Sequence, residues 1–329
     1  MVWSIAARVL VTVMFLVLGE ARAAGDGPPR SCQLGLYVTA LGNFDLEASS
    51  FGADLRLWSL CPAAAGDVRP LATADLTNGM HVARGEIRTE LQGDRIYARQ
   101  RITGRFWHHW HVVTFPIDRH RLDITVEETV LDRSLFLYEP DTVQSGLSPS
   151  FHLPGWRVAG FEVVEEPHPY PTTLGNPSLE EGQTLSRFRT SIFLERHDYM
   201  GFVKLTAALY AASLIALLAF FSDPNHPSIY GGRMSLIVGA LFAVVVNLHT
   251  SDRALGDTPE ITLMAQLHIA GAGLIVAVAL VTVWHRRRAE QGRPAPHPHW
   301  ALLVSLLVVF VAVNAFLVAR AAAVTPAAG

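Results

Sequence analysis

The chain carries little charge of either sign, almost no cysteine, and none of the short motifs that mark common hydrolases. Only 17% of its 329 residues are Asp, Glu, Lys or Arg, and the formal net charge is −3. There is no basic stripe interleaved with aromatics, so nucleic acid is not an expected partner. HExxH, GxSxG and triad-like sets are missing. That ranks a metal-dependent periplasmic enzyme last and leaves no catalytic residue and no cofactor to assign. With two cysteines, Cys32 and Cys61, at most one intrachain bridge can form.

What the chain has in quantity is apolar surface. Half of its residues are hydrophobic and its mean hydropathy is +0.28, values between those of a soluble domain and an all-membrane protein. Residues 1–24 read as a secretory signal peptide. An arginine precedes an apolar run from Val9 to Leu18, and Ala-x-Ala at Ala21 to Ala23 supplies a cleavage site; the run is short for a membrane anchor. From residue 25 to 198, short alternating runs are broken by turn signals such as "LTNGM", "LQGD", "FPID", "YEPD" and "LPGW". This pattern predicts an antiparallel β-sandwich or barrel. A hairpin with its turn near Asn43 to Glu47 would bring Cys32 opposite Cys61 at its open end, which favours a disulfide over two free thiols in an exported chain.

Residues 199–329 are expected to hold four membrane spans, about 201–221, 232–250, 262–284 and 300–319. The third connection, "HRRRAEQGRPAPHPH", carries four arginines. With an exported N-terminus it lies in the cytoplasm, in agreement with the positive-inside rule, and the C-terminus returns outside. The second span has an unusual helical stripe: Ser235, Gly239, Phe242, Val246, His249, continuing to Arg253. Two readings of it stand together: a water-lined surface, or helix packing with Gly239 permitting close approach. One such stripe cannot enclose a pore alone, so a channel requires several subunits around an axis.

"FWHHWHVVT" alternates like a strand up to the turn "FPID", where Pro116 ends the ladder. In a strand His109 and His111 share a face and His108 points away, so two metal ligands at most converge and no metal is assigned. A neighbouring subunit would have to complete an inhibitory zinc site.

The order of these parts resembles the pentameric ligand-gated ion channels, the Cys-loop receptor superfamily, and its bacterial members in particular. The segments that carry the resemblance are "GLYVTALGNFDLEASSFGADLRLW", "FPID" with "LDITVEE", "GGRMSLIVGALFAVVVNL" and "TPEITLMAQLHIAGAG". Departures are the missing cysteines of the eponymous turn, with His108 and Leu122 where they would fall, Ile117 for the second Phe of the turn, and no Pro in the middle of the first span. The resemblance implies a homopentamer in the bacterial inner membrane, with its N-terminal domain and C-terminus in the periplasm. It would conduct ions through a pore lined by the second span, opened by a small extracellular ligand or protons. It implies an ionic coupling cluster of Asp45, Asp118 and Arg196 between the two domains. It also places Glu127, Glu128 and Tyr170 where an agonist binds, a set suited to a cationic amine. The competing expectation is a non-conducting, membrane-tethered periplasmic sensor, which a wholly apolar stripe on the second span would favour.

Overall fold

The computed structural model describes residues 28–323 apart from 66–67, 151, 174, 176–181, 222–226, 254–259 and 294–299. The expected signal peptide lies outside the described residues, as do the side chains of 227 and 251–253, Arg253 among them. Eleven strands come first, β1 (Arg30–Asp45), β2 (Ser50–Pro62), β3 (Ala74–Leu76), β4 (Gly79–Arg84), β5 (Arg88–Gln92), β6 (Arg95–Trp107), β7 (Arg119–Asp132), β8 (Phe136–Pro140), β9 (Gly146–Leu147), β10 (Trp156–Pro169) and β11 (Thr184–Arg196). Four helices follow: α1 (Tyr199–Leu218), α2 (Pro227–Arg253), α3 (Leu263–Glu290) and α4 (Trp300–Ala323). All four are long and apolar enough to cross a membrane.

The strands form two sheets packed face to face. One runs β4-β6-β2-β1-β8, with β5 beside β6 and β9 beside β1; the other runs β10-β11-β7-β3. Period-two alternation supplies the filling between them. Leu34, Leu36, Val38, Leu55, Leu57 and Ile102 point inward from the first sheet, and Leu122, Ile124, Val126, Phe188, Ile192 and Leu194 from the second, all fully buried. One feature departs from the expected all-antiparallel sandwich: β1 pairs in parallel with β8 and β9. The chain crosses from β7 in the second sheet back to the first, and so reaches the free side of β1 running in the same direction.

β1 and β2 form the expected hairpin, with Gln33 opposite Leu60. One residue further out Cys32 and Cys61 are joined in a disulfide, their Cα atoms 4.5 Å apart. The "WHHWH" segment is not a strand, because β6 ends at Trp107 and residues 108–113 carry no regular pairing. Within the turn that follows, Phe115 N–H donates to Val112 O at 2.9 Å and Ile117 N–H to Thr114 O at 3.0 Å, around a cis Phe115-Pro116 bond. β11 ends at Arg196 and α1 starts three residues later, where the Asp198 carboxylate caps the helix by accepting from Gly201 N–H at 2.7 Å.

The disulfide closes a loop of 29 residues, for which chain entropy gives roughly 3–4 kcal/mol of stabilisation. Replacing both Cys32 and Cys61 with Ala is expected to lower the unfolding free energy of the β domain by about that amount. Denaturant titration of the full-length protein, followed by tryptophan fluorescence, measures it; an unchanged midpoint would contradict it.

Candidate coupling site and candidate pore face

Asp118 lies four residues past the start of the turn, with only 1% of its surface exposed. A carboxylate in that position must be paired, since an isolated buried charge is costly. Two cationic or polar groups meet it. Arg196, the last residue of β11, donates from Nε to Oδ1 at 2.6 Å and from Nη2 to Oδ2 at 3.1 Å. His120 Nε2 donates to Oδ2 at 2.8 Å. Burial alone would raise the Asp118 pKa, but the hydrogen bonds from His120 and Arg196 together outweigh it and hold the carboxyl below its usual value. The backbone repeats the link, with Arg196 N–H donating to Asp118 O at 3.0 Å.

Aromatic rings enclose the pair. The Arg196 guanidinium stands 4.1 Å from the Trp156 ring centroid and 5.0 Å from that of Phe115, a cation–π sandwich that adds attraction and excludes water. Trp156 follows Gly155, whose φ of +78° makes the sharp approach to β10. Trp110, His108 and Phe44 complete the wall: Trp110 lies 4.8 Å from His120 and 5.4 Å from Phe44, and His108 lies 4.6 Å from Trp110.

The structure separates Asp45 from this pair. Its carboxylate accepts from Arg105 Nη2 at 2.8 Å and from Ala48 N–H at 2.8 Å, so the three-member cluster expected from sequence is a pair plus His120. Arg105 of β6 reaches Asp45 of β1 over the intervening β2, donating to Ser50 Oγ at 2.7 Å as well. The hairpin tip still touches the site through its backbone, because Trp110 Nε1–H donates to Asp45 O at 3.1 Å.

The same turn grips the membrane domain. Val113 O accepts from Leu263 N–H at 2.8 Å, satisfying one of the N-terminal donors of α3 that helical geometry leaves open. Val112 N–H donates to Glu260 Oε2 at 2.9 Å. Two residues on, Thr262 caps α3 by accepting from Ala265 N–H. Glu260, Trp156, Phe115 and His120 are members of this site that sequence reasoning missed. A carboxylate two residues before a Thr cap was the available signal for Glu260.

On α2, Arg233, Ile237, Ala240 and Val244 are buried. Asn247 Nδ2 donates inward, to Leu205 O of α1 at 2.8 Å and to His268 Nε2 of α3 at 2.7 Å. His268 is fully buried and its Nδ1–H donates to Met264 O at 2.7 Å. Adding two residues to each of these five α2 positions gives Ser235, Gly239, Phe242, Val246 and His249. Two residues is about 200° of rotation, so this stripe points directly away from the bundle, and all five are exposed in the single chain, Phe242 by 70%. Of the two readings of Gly239, close packing inside the bundle is the one that fails. A Cβ there would meet nothing within 4 Å, whereas one at Gly271 of α3 would come 2.3 Å from Leu209 of α1. Arg233 turns inward over the Phe220 ring at 5.3 Å.

The proposed agonist residues are mostly engaged. Glu127 accepts from Arg187 Nε at 2.9 Å and from Tyr170 Oη–H at 2.5 Å. Burial and Glu127 together raise the Tyr170 pKa. Glu128 faces the other side of β7, accepting from Thr73 Oγ1 at 2.7 Å and Val130 N–H at 3.0 Å. Glu127 and Tyr170 do meet, but Arg187 already neutralises the acid that a cationic amine would need.

His108 is half-buried against the aromatic wall, and its Nε2 has no hydrogen-bond partner among the described residues. Desolvation, helped by the neighbouring His120, lowers its pKa from 6.5 to about 3. The unfolded chain therefore binds a proton at this residue below pH 6.5 while the folded one does not, so its contribution to stability is complete above pH 6.5 and is lost as pH falls toward 3. At pH 5 that amounts to about 2 kcal/mol. His108→Phe is expected to remove this part of the acid sensitivity. Thermal unfolding at pH 5 and 7.5 tests it, and an equal shift in both proteins would count against it. Compared with models of known families and with curated proteins, the chain gives no match, so the reading of these sites rests on their geometry.

Proposed function

We propose that five copies of this chain form a ring in a bacterial inner membrane, with the β domain and C-terminus on the periplasmic side and α2 of each copy lining a central ion pathway. An extracellular stimulus, a small ligand or protons, opens it. The observation that carries this reading is the outward stripe of α2. A Ser/Gly/Phe/Val/His face left exposed among the described residues of its own subunit suits a water-filled axis shared by symmetric neighbours, whereas a lipid-facing surface has no use for Ser235 or His249.

In mechanism, the stimulus reorients the β domain, and the Arg196–Asp118 pair carries that motion to two places at once. Arg196 is continuous with α1, and the turn bearing Asp118 holds Glu260 and the start of α3. The loop between α2 and α3 then shifts and tilts α2. Phe242 and Val246 are the large apolar residues of the stripe, and five copies of each make a ring that water leaves, a barrier an ion crosses only by shedding hydration. Tilting widens that ring.

Three outcomes are expected. The purified protein should have about five times the chain mass in native mass spectrometry; a stable monomer or dimer would sink the proposal. Phe242→Ser should wet the ring and give current without stimulus in bilayer recording, while leak from Leu241→Ser in its place would mean that the helical phase is wrong. Arg196→Ala leaves the buried Asp118 carboxylate with His120 as its one remaining side-chain donor, at a cost of up to about 3–5 kcal/mol, and should abolish gating with assembly retained. Normal currents in that variant would remove the pair from the mechanism.

A further inference from the structure

His109, His111 and Glu260 lie together at the domain boundary, outside the buried pair. One ligand atom from each falls within 4.8 Å of the other two. The histidine rings are 4.5 Å apart, and His111 Nδ1 is 3.8 Å from Glu260 Oε1. From this arrangement we infer a binding site for a divalent transition metal ion, zinc above all, that bridges the β domain and the loop between α2 and α3.

The donor set selects the metal. Two imidazoles and one carboxylate suit zinc, which takes nitrogen and oxygen at about 2.0–2.2 Å in tetrahedral geometry. Calcium and magnesium favour all-oxygen shells. Tetrahedral bonds of that length place donors roughly 3.4 Å apart, so the side chains must close by about an ångström. His109 and His111 are exposed, which leaves their rings room to turn. The carboxylate is oriented by an outer hydrogen bond of the kind that fixes metal ligands, Glu260 Oε2 accepting from Val112 N–H at 2.9 Å, with Oε1 3.8 Å from His111 Nδ1. Three protein ligands leave a fourth position for water or a group from a neighbouring subunit.

A metal here joins residues on opposite sides of the boundary, so it holds the two segments in one relative position. If α2 is moved through its loop, as proposed above, zinc should suppress stimulated current; that consequence rests on the channel reading, while binding does not. The test uses the full-length protein, stripped with chelator and titrated with Zn2+ by calorimetry in detergent. One ion per subunit is expected, with affinity lowered on the order of tenfold or more in each of His109→Gln, His111→Gln and Glu260→Gln. Absence of saturable binding, or affinity unchanged in all three variants, overturns the site. In recordings, the ratio of current with and without Zn2+ should fall well below one in wild type and return toward one in His109→Gln. Zinc binding without an effect on an active channel overturns the bridge as a brake. Zinc binding in a protein that passes no current sinks the channel reading and leaves the site standing.

Discussion

A wholly buried carboxylate at the end of a turn dictates most of what surrounds it. Asp118 cannot remain ionised in that position without a partner at hydrogen-bond distance. Arg196 provides two donors, and its own desolvation is offset by the faces of Trp156 and Phe115. Each group sits at a strategic point along the chain. Arg196 is three residues ahead of the first membrane helix, and Asp118 is attached to the turn whose carbonyl and amide groups hold the start of α3 and Glu260. Buried ion pairs contribute little net stability compared with apolar packing, but they fix geometry. Here they fix the position of the β domain relative to two separate parts of the membrane domain.

Inside the membrane a second polar contact fixes a rotation. Helix α2 makes limited apolar contact with its own bundle, through Ile237, Ala240 and Val244, and small apolar faces specify helical phase weakly. Asn247 supplies what they do not. Its amide donates to both a carbonyl of α1 and an imidazole of α3, and in hydrocarbon an unsatisfied amide is costly enough to disfavour any other rotation. Once Asn247 is turned inward, Ser235, Gly239, Phe242, Val246 and His249 must point outward. The exposed stripe is thus a consequence of a buried hydrogen bond half a turn away.

Much of the architecture was legible in the sequence because it rests on periodicity. Period-two runs located the sandwich, and apolar length located the four helices to within a turn or two. Hairpin counting placed Cys32 opposite Cys61. What periodicity does not carry is competition between partners. Asp45 is acidic and lies at the hairpin tip, but Arg105, two strands away in the same sheet, reaches over β2 and captures it. Glu127 has the charge to attract an amine, but Arg187, opposite it in register, occupies it. His109 and His111 share a side even though their segment is not a strand, and their third companion is about 150 residues further along, beyond the reach of any local pattern. An ionisable residue within a span was a readable signal at His268, and its role as acceptor for Asn247 required the fold.

The boundary between the domains is held by two kinds of contact, a charged pair and a set of single hydrogen bonds. The Arg196–Asp118 pair is packed against two aromatic rings and doubled by a backbone hydrogen bond; separating it would strip a buried carboxylate of two of its three side-chain hydrogen bonds. The grip on the membrane domain is made of single hydrogen bonds, from Val112 to Glu260 and from Leu263 to Val113, and because Val112 and Leu263 are buried, breaking either bond would leave a buried amide unsatisfied. Glu260, with His111 beside it, lies at the seam between the turn and the start of α3. A ligand held by Glu260 and His111 would therefore add to contacts that already tie the turn after β6 to the start of α3, on the side of the boundary that the Arg196–Asp118 pair does not reach.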